Sequence, residues 1–334
     1  MALPDFVIIG SPKAGTTALH AALVRHPDLF MCSAKEPKFF MTDGPPRRRD
    51  QRGPGDAHSA GEWVWSREGY ESLFDPAPES ATRGEATPFY LWDRRAHKRM
   101  AEVIPRARLI AVIRDPVDRA FSNWMHLRAD GLEPVKDFLA ACRLEASRRD
   151  RGWAPFWRYL ELGRYGEQLA HLHQYFPPEQ VHIVRYRDVV EEPVATLRAV
   201  CEFLGVAPVL TEVPHANVGR WAAETPANEV LRRAVRAGAA LGSFGPPHVW
   251  RKVEKPMLKG LQRGTPGRPR VTLEQRAALL PAFADDIALL ERLTGQPFQD
   301  WLAESGQGSF AGAGTATPSA ASEAALVPDP TAVP

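Results

Sequence analysis

The sequence predicts an α/β fold in which a parallel sheet carries helices on both of its faces. Two short apolar runs, at residues 6–9 and 109–113, and a strand-like segment at 181–186 support this prediction, and each is followed by a turn and a helix-forming segment. Continuous apolar runs of this length are typical of strands that are buried on both faces of a parallel sheet. The 334 residues are enough for one large core or for two domains.

The first run leads into a glycine-rich loop and then into a helix. Residues 6–17 read FVIIGSPKAGTT. A Walker A loop has the pattern G-x-x-x-x-G-K-[ST], and here Gly15 and Thr17 occupy its second glycine and its hydroxyl position. Thr16 stands in the lysine position, and a lysine lies inside the loop instead, at Lys13. Because backbone N–H groups and the helix dipole favour an anion, we predict a phosphate site. The alternative is a glycine-rich turn without a ligand.

The second run ends at Arg114, and a helix starts directly after it. Asp115 is the predicted N-cap and Pro116 the first helical residue, with Ser122 further along the helix. Ligands of open α/β sheets bind at the carboxyl ends of the strands, where Arg114 lies. A guanidinium can hold a phosphate through two parallel hydrogen bonds. Taken alone, Arg114 is equally well explained as a structural ion-pair residue.

Residues 11–17, SPKAGTT, resemble the 5′-phosphosulfate loop of sulfotransferases that use 3′-phosphoadenylyl sulfate (PAPS). The likeness is to the sulfotransferase domains of heparan-sulfate enzymes and their bacterial relatives, and it implies a P-loop-like α/β fold that needs no metal. In that family, the arginine of an Arg-Asp-Pro segment and a serine eight residues later bind the 3′-phosphate, which matches Arg114 and Ser122. The resemblance assigns the 5′-phosphate to Pro12, Lys13, Ala14, Gly15, Thr16 and Thr17.

A third segment, residues 34–40, reads AKEPKFF and follows a predicted second strand. Charged residues at such a place are usually solvated surface. Relatives, however, carry a Lys-Glu-x-x-Phe-Phe segment whose glutamate is the catalytic base, and Glu36 matches it. An alcohol needs a base, and charge develops on the departing phosphate, so Lys13 is predicted to stabilise that charge. Lys35 and Lys38 are predicted to bind the acceptor.

A fourth segment, residues 84–90, resembles the Glu-Lys-x-Pro-x-Tyr stretch that contributes to the family's acceptor cleft. Thr87 and Tyr90 are therefore predicted to bind the acceptor. The chain departs from the heparan pattern at three positions, where an alanine replaces a lysine, a lysine replaces a frequent histidine, and a methionine replaces an acidic residue: Ala86, Lys38 and Met41. These departures argue against a heparan-like acceptor and leave the donor half intact.

The later chain is less informative. Residues 166–205 also resemble the bacterial sulfotransferase pattern. Relatives close the cofactor site with a late Gly/Lys/Arg loop, for which Gly219 and Arg220, or alternatively Lys259 and Gly260, are candidates. We predict one sulfotransferase domain at residues 1–304 with a flexible insertion at 43–61. Residues 305–334 are rich in Ala, Gly, Pro and Ser, lack Lys and Arg, and are predicted to form a disordered tail.

The amino-acid composition limits the classes of partner that we expect for this chain. The chain has 42 Lys and Arg against 40 Asp and Glu, so no overall field favours nucleic acid or a membrane surface. No apolar run approaches the ~20 residues of a membrane span, and no signal peptide is evident. Three widely spaced cysteines, with no CxxC pair, argue for reduced thiols, a cytoplasmic location and no zinc site.

The function predicted from these observations is sulfuryl transfer from PAPS to an acceptor hydroxyl, by in-line displacement and without a metal. The missing Walker lysine and the pair Arg114 and Ser122 argue against a P-loop kinase or NTPase. Glu36 argues against a non-catalytic nucleotide-binding module. The acceptor stays open between a glycan and a small molecule such as a phenol, a lipid or a secondary metabolite, and so does the oligomeric state.

Overall fold

The computed structural model describes residues 3–44, 63–214, 228–233 and 269–303. Within these residues one sheet is built from five strands: β1 (Phe6–Gly10), β2 (Leu29–Met31), β3 (Thr82–Ala86), β4 (Arg108–Ile113) and β5 (Val181–Arg185). All neighbouring strands run parallel, in the order β2-β3-β1-β4-β5. The parallel sheet predicted from the apolar runs is confirmed.

Helices follow most of the strands, as parallel connections require. They are α1 (Thr16–Leu23), α2 (Arg67–Glu71), α3 (Arg94–Val103), α4 (Pro116–Ala129), α5 (Phe138–Arg143), α6 (Glu145–Asp150), α7 (Tyr165–Leu172), α8 (Tyr186–Glu191), α9 (Pro193–Leu204), α10 (Leu273–Leu279) and α11 (Ala284–Thr294). Residues 228–233 are helical as well.

The core lies on both faces of the sheet, because successive strand side chains point in opposite directions. Val7 and Ile9 of β1 pack in one apolar cluster, together with side chains of α3, α4, α7 and α11. Phe6 and Ile8 pack in the other cluster, with side chains of α1 and α9. All four strand residues are fully buried. The prediction of helices on both faces is confirmed.

The strand order places β1 between β3 and β4. The segments after β1, β4 and β5 therefore share one half of the carboxyl-terminal edge of the sheet, and the segments after β2 and β3 share the other half. The predicted donor-binding loop and Arg114 belong to the first half. The predicted base, Glu36, and the fourth segment belong to the second half.

Local differences from the sequence-based expectations are few. Helices α5 and α6 follow each other directly and meet at Leu144. Strand β3 was not expected from its composition. Most of the predicted insertion at 43–61, and the whole predicted tail, lie outside the described residues, so the domain limits stay predictions.

Candidate active site

The loop between β1 and α1 has the backbone shape that an anion site requires. Gly15, directly before α1, has a φ of 94°, and Lys13 has a φ of 68°. A Cβ added to Gly15 would lie 2.6 Å from Cδ2 of Tyr186, so conformation and contact both exclude a larger residue. Thr16 is buried, and Thr17 is partly exposed. Their hydroxyls and the first N–H groups of the helix can hold an anion together.

A buried arginine supports this loop. The guanidinium of Arg119, on α4, donates hydrogen bonds to the backbone oxygens of Pro12 (3.4 Å) and Tyr159 (2.7 Å). Desolvation lowers the pKa of Arg119, which still leaves a guanidinium charged. Pro12 and Ala14 are themselves buried, so their predicted part in donor binding is the shape of the backbone. The sequence analysis missed Arg119.

Arg114 lies at the carboxyl end of β4, partly exposed, as predicted. Its guanidinium carbon is 4.8 Å from the ring centroid of Tyr186, a cation–π distance. The cleft beside Arg114 is also lined by Arg185 and Arg187. Ser122 lies further along α4 and is 5% exposed. The roles predicted for Arg114 and Ser122 in binding a 3′-phosphate stay predictions.

Tyr186, the first residue of α8, links the two predicted phosphate sites. Its ring limits the space at Gly15 and lies against Arg114. The sequence analysis placed this tyrosine at a strand end and assigned it no role. Its position in the sequence could have indicated a role, because Tyr186 directly follows β5, at the sheet edge where ligands of parallel folds bind.

A second missed arginine fixes the turn after β4. Asp115 caps α4 by accepting hydrogen bonds from two backbone N–H groups, both at 3.0 Å. Arg276, on α10, donates to both oxygens of that carboxylate, at 3.1 Å and 2.5 Å. Arg276 is 1% exposed, and such bidentate pairs give geometric precision as well as energy. The position of Arg114 therefore depends on a helix more than 150 residues away in sequence.

The segment that contains the predicted base contacts both the end of β3 and the start of α1. The N–H of Glu36 donates to the backbone oxygen of Ala86 at 3.0 Å, which ties the segment after β2 to the end of β3. The neighbouring Lys35 donates from Nζ to Oγ1 of Thr17 at 2.6 Å. The structure thus brings the segment of the predicted base to the first turn of α1.

Lys38 lies next to Glu36 and is only 7% exposed. Its ammonium nitrogen is 4.0 Å from Oε2 of Glu36 and 5.7 and 5.5 Å from the ring centroids of Trp63 and Phe89. Its backbone N–H donates to Oγ1 of Thr87 at 3.4 Å. The predicted acceptor-binding lysine and the predicted base are therefore neighbours.

A fully buried carboxyl group, Glu85 on β3, lies in the same region. The hydroxyl of Tyr70 donates to its Oε1 at 2.5 Å, and that of Thr87 to its Oε2 at 2.8 Å. Burial raises the pKa of Glu85 to about 7, and the hydrogen bonds oppose this shift. Thr87 and Tyr90 are fully buried, which favours a supporting role; their predicted contact with the acceptor stays a prediction.

Three non-glycine residues with positive φ stand out among the described residues: Lys13, Glu36 and Lys38. This conformation is unfavourable for residues with a Cβ, and it concentrates at functional sites. The sequence analysis had assigned all three a catalytic or acceptor-binding role on other grounds. The candidates for the late closing loop, Gly219 and Arg220 as well as Lys259 and Gly260, lie outside the described residues.

A model of the sulfotransferase family matches residues 4–210, well over half of the chain. The chain belongs to the sulfotransferase family. The family predicted from the loop and the Arg-Asp-Pro segment is thereby confirmed.

Two human relatives that match this chain are named for different transfer reactions. Bifunctional heparan sulfate N-deacetylase/N-sulfotransferase 3 is 30% identical over 211 residues, which cover 62% of this chain and 23% of the relative. Heparan sulfate glucosamine 3-O-sulfotransferase 3B1 is 29% identical over 211 residues, covering 63% and 48%. The chain thus spans less than half the length of these curated relatives.

A solved sulfotransferase structure confirms the fold. The sulfotransferase from Alicyclobacillus acidocaldarius superposes with a TM-score of 0.68 at 28% identity, covering 91% of this chain and 100% of that one. The expected P-loop-like α/β architecture of the family is therefore present here.

The described residues contain neither a membrane-spanning helix nor a cluster of metal ligands. No helix among them is both long and apolar enough to cross a bilayer. In the same part of the chain, no three His, Cys, Asp or Glu side chains are grouped so that they could hold a metal ion.

Proposed function

We propose that this member of the sulfotransferase family transfers a sulfuryl group from PAPS to an acceptor hydroxyl by in-line displacement and releases adenosine 3′,5′-bisphosphate. The observation that carries the proposal is the 2.6 Å hydrogen bond from Lys35 to Thr17. It holds the segment of Glu36 against the phosphate loop, and a base next to a leaving-group site is what such a transfer needs.

The chemistry of the donor-binding residues fits a nucleoside with two separate phosphate positions. A helix N-terminus with two hydroxyls, Thr16 and Thr17, suits one phosphate, and Arg114 with Ser122 suits the other. Tyr186 contacts both regions and ties them together. When bound, the donor supplies an electrophilic sulfur and a phosphate leaving group.

In this proposal Glu36 accepts the proton of the acceptor hydroxyl. Lys13 lies in the loop that surrounds the 5′-phosphate and stabilises the charge that grows there. Neither role needs a metal ion.

Calorimetry distinguishes this proposal from the alternative nucleotide chemistry. We expect the protein to bind adenosine 3′,5′-bisphosphate and to bind ATP with Mg²⁺ more weakly, because Arg114 and Ser122 favour a 3′-phosphate. A preference for ATP with Mg²⁺ would support a P-loop kinase or NTPase instead.

The substitution Glu36→Gln tests the base. We expect unchanged affinity for adenosine 3′,5′-bisphosphate and a loss of turnover of roughly 10²–10⁴-fold, the usual contribution of a general base. The matched control is Glu68→Gln, an exposed glutamate on α2. Full turnover by Glu36→Gln would remove Glu36 from the mechanism, and a wild-type protein that binds the nucleotide without any transfer would favour a non-catalytic module.

The acceptor is proposed as a glycan or a small molecule. The names of the relatives point to heparan sulfate, whereas Lys38, Ala86 and Met41 depart from the heparan pattern. A mass-spectrometric search for products heavier by SO₃ decides between them. We also propose a cytoplasmic location, because the cysteines of the described chain are buried free thiols: Cys32, Cys142 and Cys201.

A further inference from the structure

The side chains of Lys38 and Glu36 are close to each other but do not form a hydrogen bond. The ammonium nitrogen and Oε2 are 4.0 Å apart, whereas a charge-assisted N–H···O bond is about 2.7–2.9 Å long. The rings of Trp63 and Phe89 lie beside the ammonium, and the described residues offer it no hydrogen bond. A nearly buried ammonium in this state has donors that are available to a ligand.

The gap between the two groups has the size of one oxygen atom. An oxygen about 2.8 Å from both groups fits between atoms 4.0 Å apart, with an angle of about 90° at that oxygen. It can donate a hydrogen bond to Glu36 and accept one from Lys38 at the same time. An acceptor hydroxyl next to the base meets both conditions.

We propose that Lys38 is a second catalytic residue, which binds the acceptor oxygen together with Glu36 and restricts the reaction to hydroxyl acceptors. The inference rests on the proposed sulfuryl transfer. A hydroxyl oxygen has one proton and two lone pairs. The proton faces Glu36, one lone pair accepts from Lys38, and the second lone pair stays available to attack sulfur.

An amine does not fit this arrangement. A neutral primary amine has a single lone pair, and that pair must attack sulfur. A hydrogen bond from Lys38 to the nitrogen would occupy it, and an amine turned away from Lys38 would leave the ammonium desolvated without a partner. Because relatives with N-sulfotransferase and 3-O-sulfotransferase names both match this chain, family membership alone does not make this choice.

In the proposed transfer, two bonds break and two bonds form. The O–H bond of the acceptor breaks and its proton passes to the carboxylate of Glu36. The oxygen forms a bond to sulfur, and the bond from sulfur to the donor's 5′-phosphate oxygen breaks with its electron pair on that oxygen. Lys38 keeps its protons throughout and stabilises the charge on the acceptor oxygen as the O–H bond breaks.

The first test uses water as the hydroxyl acceptor, so it needs no knowledge of the natural one. We expect Lys38→Met to hydrolyse PAPS about 10²-fold more slowly than wild type, as for loss of one oxyanion donor. Its affinity for adenosine 3′,5′-bisphosphate should be unchanged. The matched control is Lys98→Met, an exposed lysine on α3 that pairs with Glu102 and should leave the rate unaltered. Lys38→Gln replaces Lys38→Met if the latter unfolds.

The second test offers both nucleophiles in one molecule, 4-aminophenol. Wild type should form the O-sulfate, and the ratio of O-sulfate to N-sulfamate should fall at least about tenfold in Lys38→Met. Equal hydrolysis rates in wild type and Lys38→Met, or an unchanged product ratio, overturn this inference and leave the proposed function intact. A wild-type protein that neither hydrolyses PAPS nor transfers sulfate overturns the proposed function itself.

Discussion

At the scale of single residues, both backbone conformation and close packing require a glycine at position 15. It is the N-cap of α1, its φ is 94°, and a Cβ there would lie 2.6 Å from the ring of Tyr186. That ring also contacts Arg114, so a displaced tyrosine affects both predicted phosphate sites. The absence of a Cβ at Gly15 therefore affects both parts of the predicted donor site.

The substitution Gly15→Ala tests this dependence. We expect destabilisation of more than about 1 kcal/mol, because alanine is strained at positive φ, and a loss of affinity for adenosine 3′,5′-bisphosphate. Calorimetry and thermal unfolding measure the two effects. Gly44→Ala is the control, since no atom lies within 4 Å of its added Cβ. Unchanged nucleotide affinity in Gly15→Ala would contradict the coupling through Tyr186.

Glu85 makes the stability of the protein depend on pH. Its pKa is raised by burial from 4.5 to about 7 in the folded protein. Between these values the folded state binds a proton that the unfolded state has lost, so stability falls as pH rises from 4.5 to about 7 and then levels off. The contribution is on the order of 3 kcal/mol.

Glu85→Gln removes this titration. The free energy of unfolding of the variant minus that of wild type should be larger at pH 8 than at pH 5. Urea unfolding of both proteins at both pH values measures this difference. The exposed Glu68→Gln protein should follow wild type at each pH. Parallel pH profiles for Glu85→Gln and wild type would show that Glu85 stays ionised in the folded state.

The sequence predicted which elements carry the candidate site residues better than the backbone conformation around them. Lys13, Glu36, Arg114 and Ser122 lie on the predicted elements because their motifs contain the strand ends and helix starts that position them. The positive φ values of Lys13 and Glu36 were not predicted, because neither residue type favours that conformation. The network around Glu85 could not be predicted either, because it requires knowing that β3 lies between β1 and β2.

At the scale of elements, the pairing of α10 with the start of α4 connects the C-terminal part of the described chain to the predicted donor site. Arg276→Met should destabilise the fold by about 3–5 kcal/mol, because it leaves the buried carboxylate of Asp115 without its partner. The same change should weaken binding of adenosine 3′,5′-bisphosphate through Arg114. Urea unfolding and calorimetry measure these effects.

Two further variants separate this pair from a general loss of charge. Arg292→Met removes an exposed arginine from α11 and should change neither measurement. Adding Asp115→Asn to Arg276→Met removes the unpaired charge and should recover part of the stability. A double variant that is as unstable as the sum of the single changes would argue against the pair.

Strand β3 shows why element prediction is limited. Its sequence, TRGEA, contains residue types that are depleted in strands, and no apolar pattern marks it. Tertiary context decides instead, because β3 pairs with β1 on one side and with β2 on the other. A Cβ at Gly84 would lie 2.2 Å from the ring of Phe6, so this glycine lets the β1 side chain pack across its neighbour.

At the scale of the whole molecule, the fold class followed from two apolar runs and a third strand-like segment, and the strand order did not. Apolar runs show which segments are buried in a parallel sheet, while the order β2-β3-β1-β4-β5 depends on contacts between distant segments. Once this order is known, the contact of Lys35 with Thr17 is explained, because only β3 separates β2 from β1 and the segments after these two strands meet beyond its end.

The strand order also has an evolutionary consequence. The described residues predicted to bind the donor lie in the crossover connections after β1 and β4, and those predicted to bind the acceptor lie in the connections after β2 and β3. On these predictions, recombination or insertion after β2 and β3 changes the acceptor and leaves the predicted donor-binding residues in place. Proteins that share this sheet can therefore evolve new acceptors through changes in two connections, while the predicted donor-binding connections stay the same.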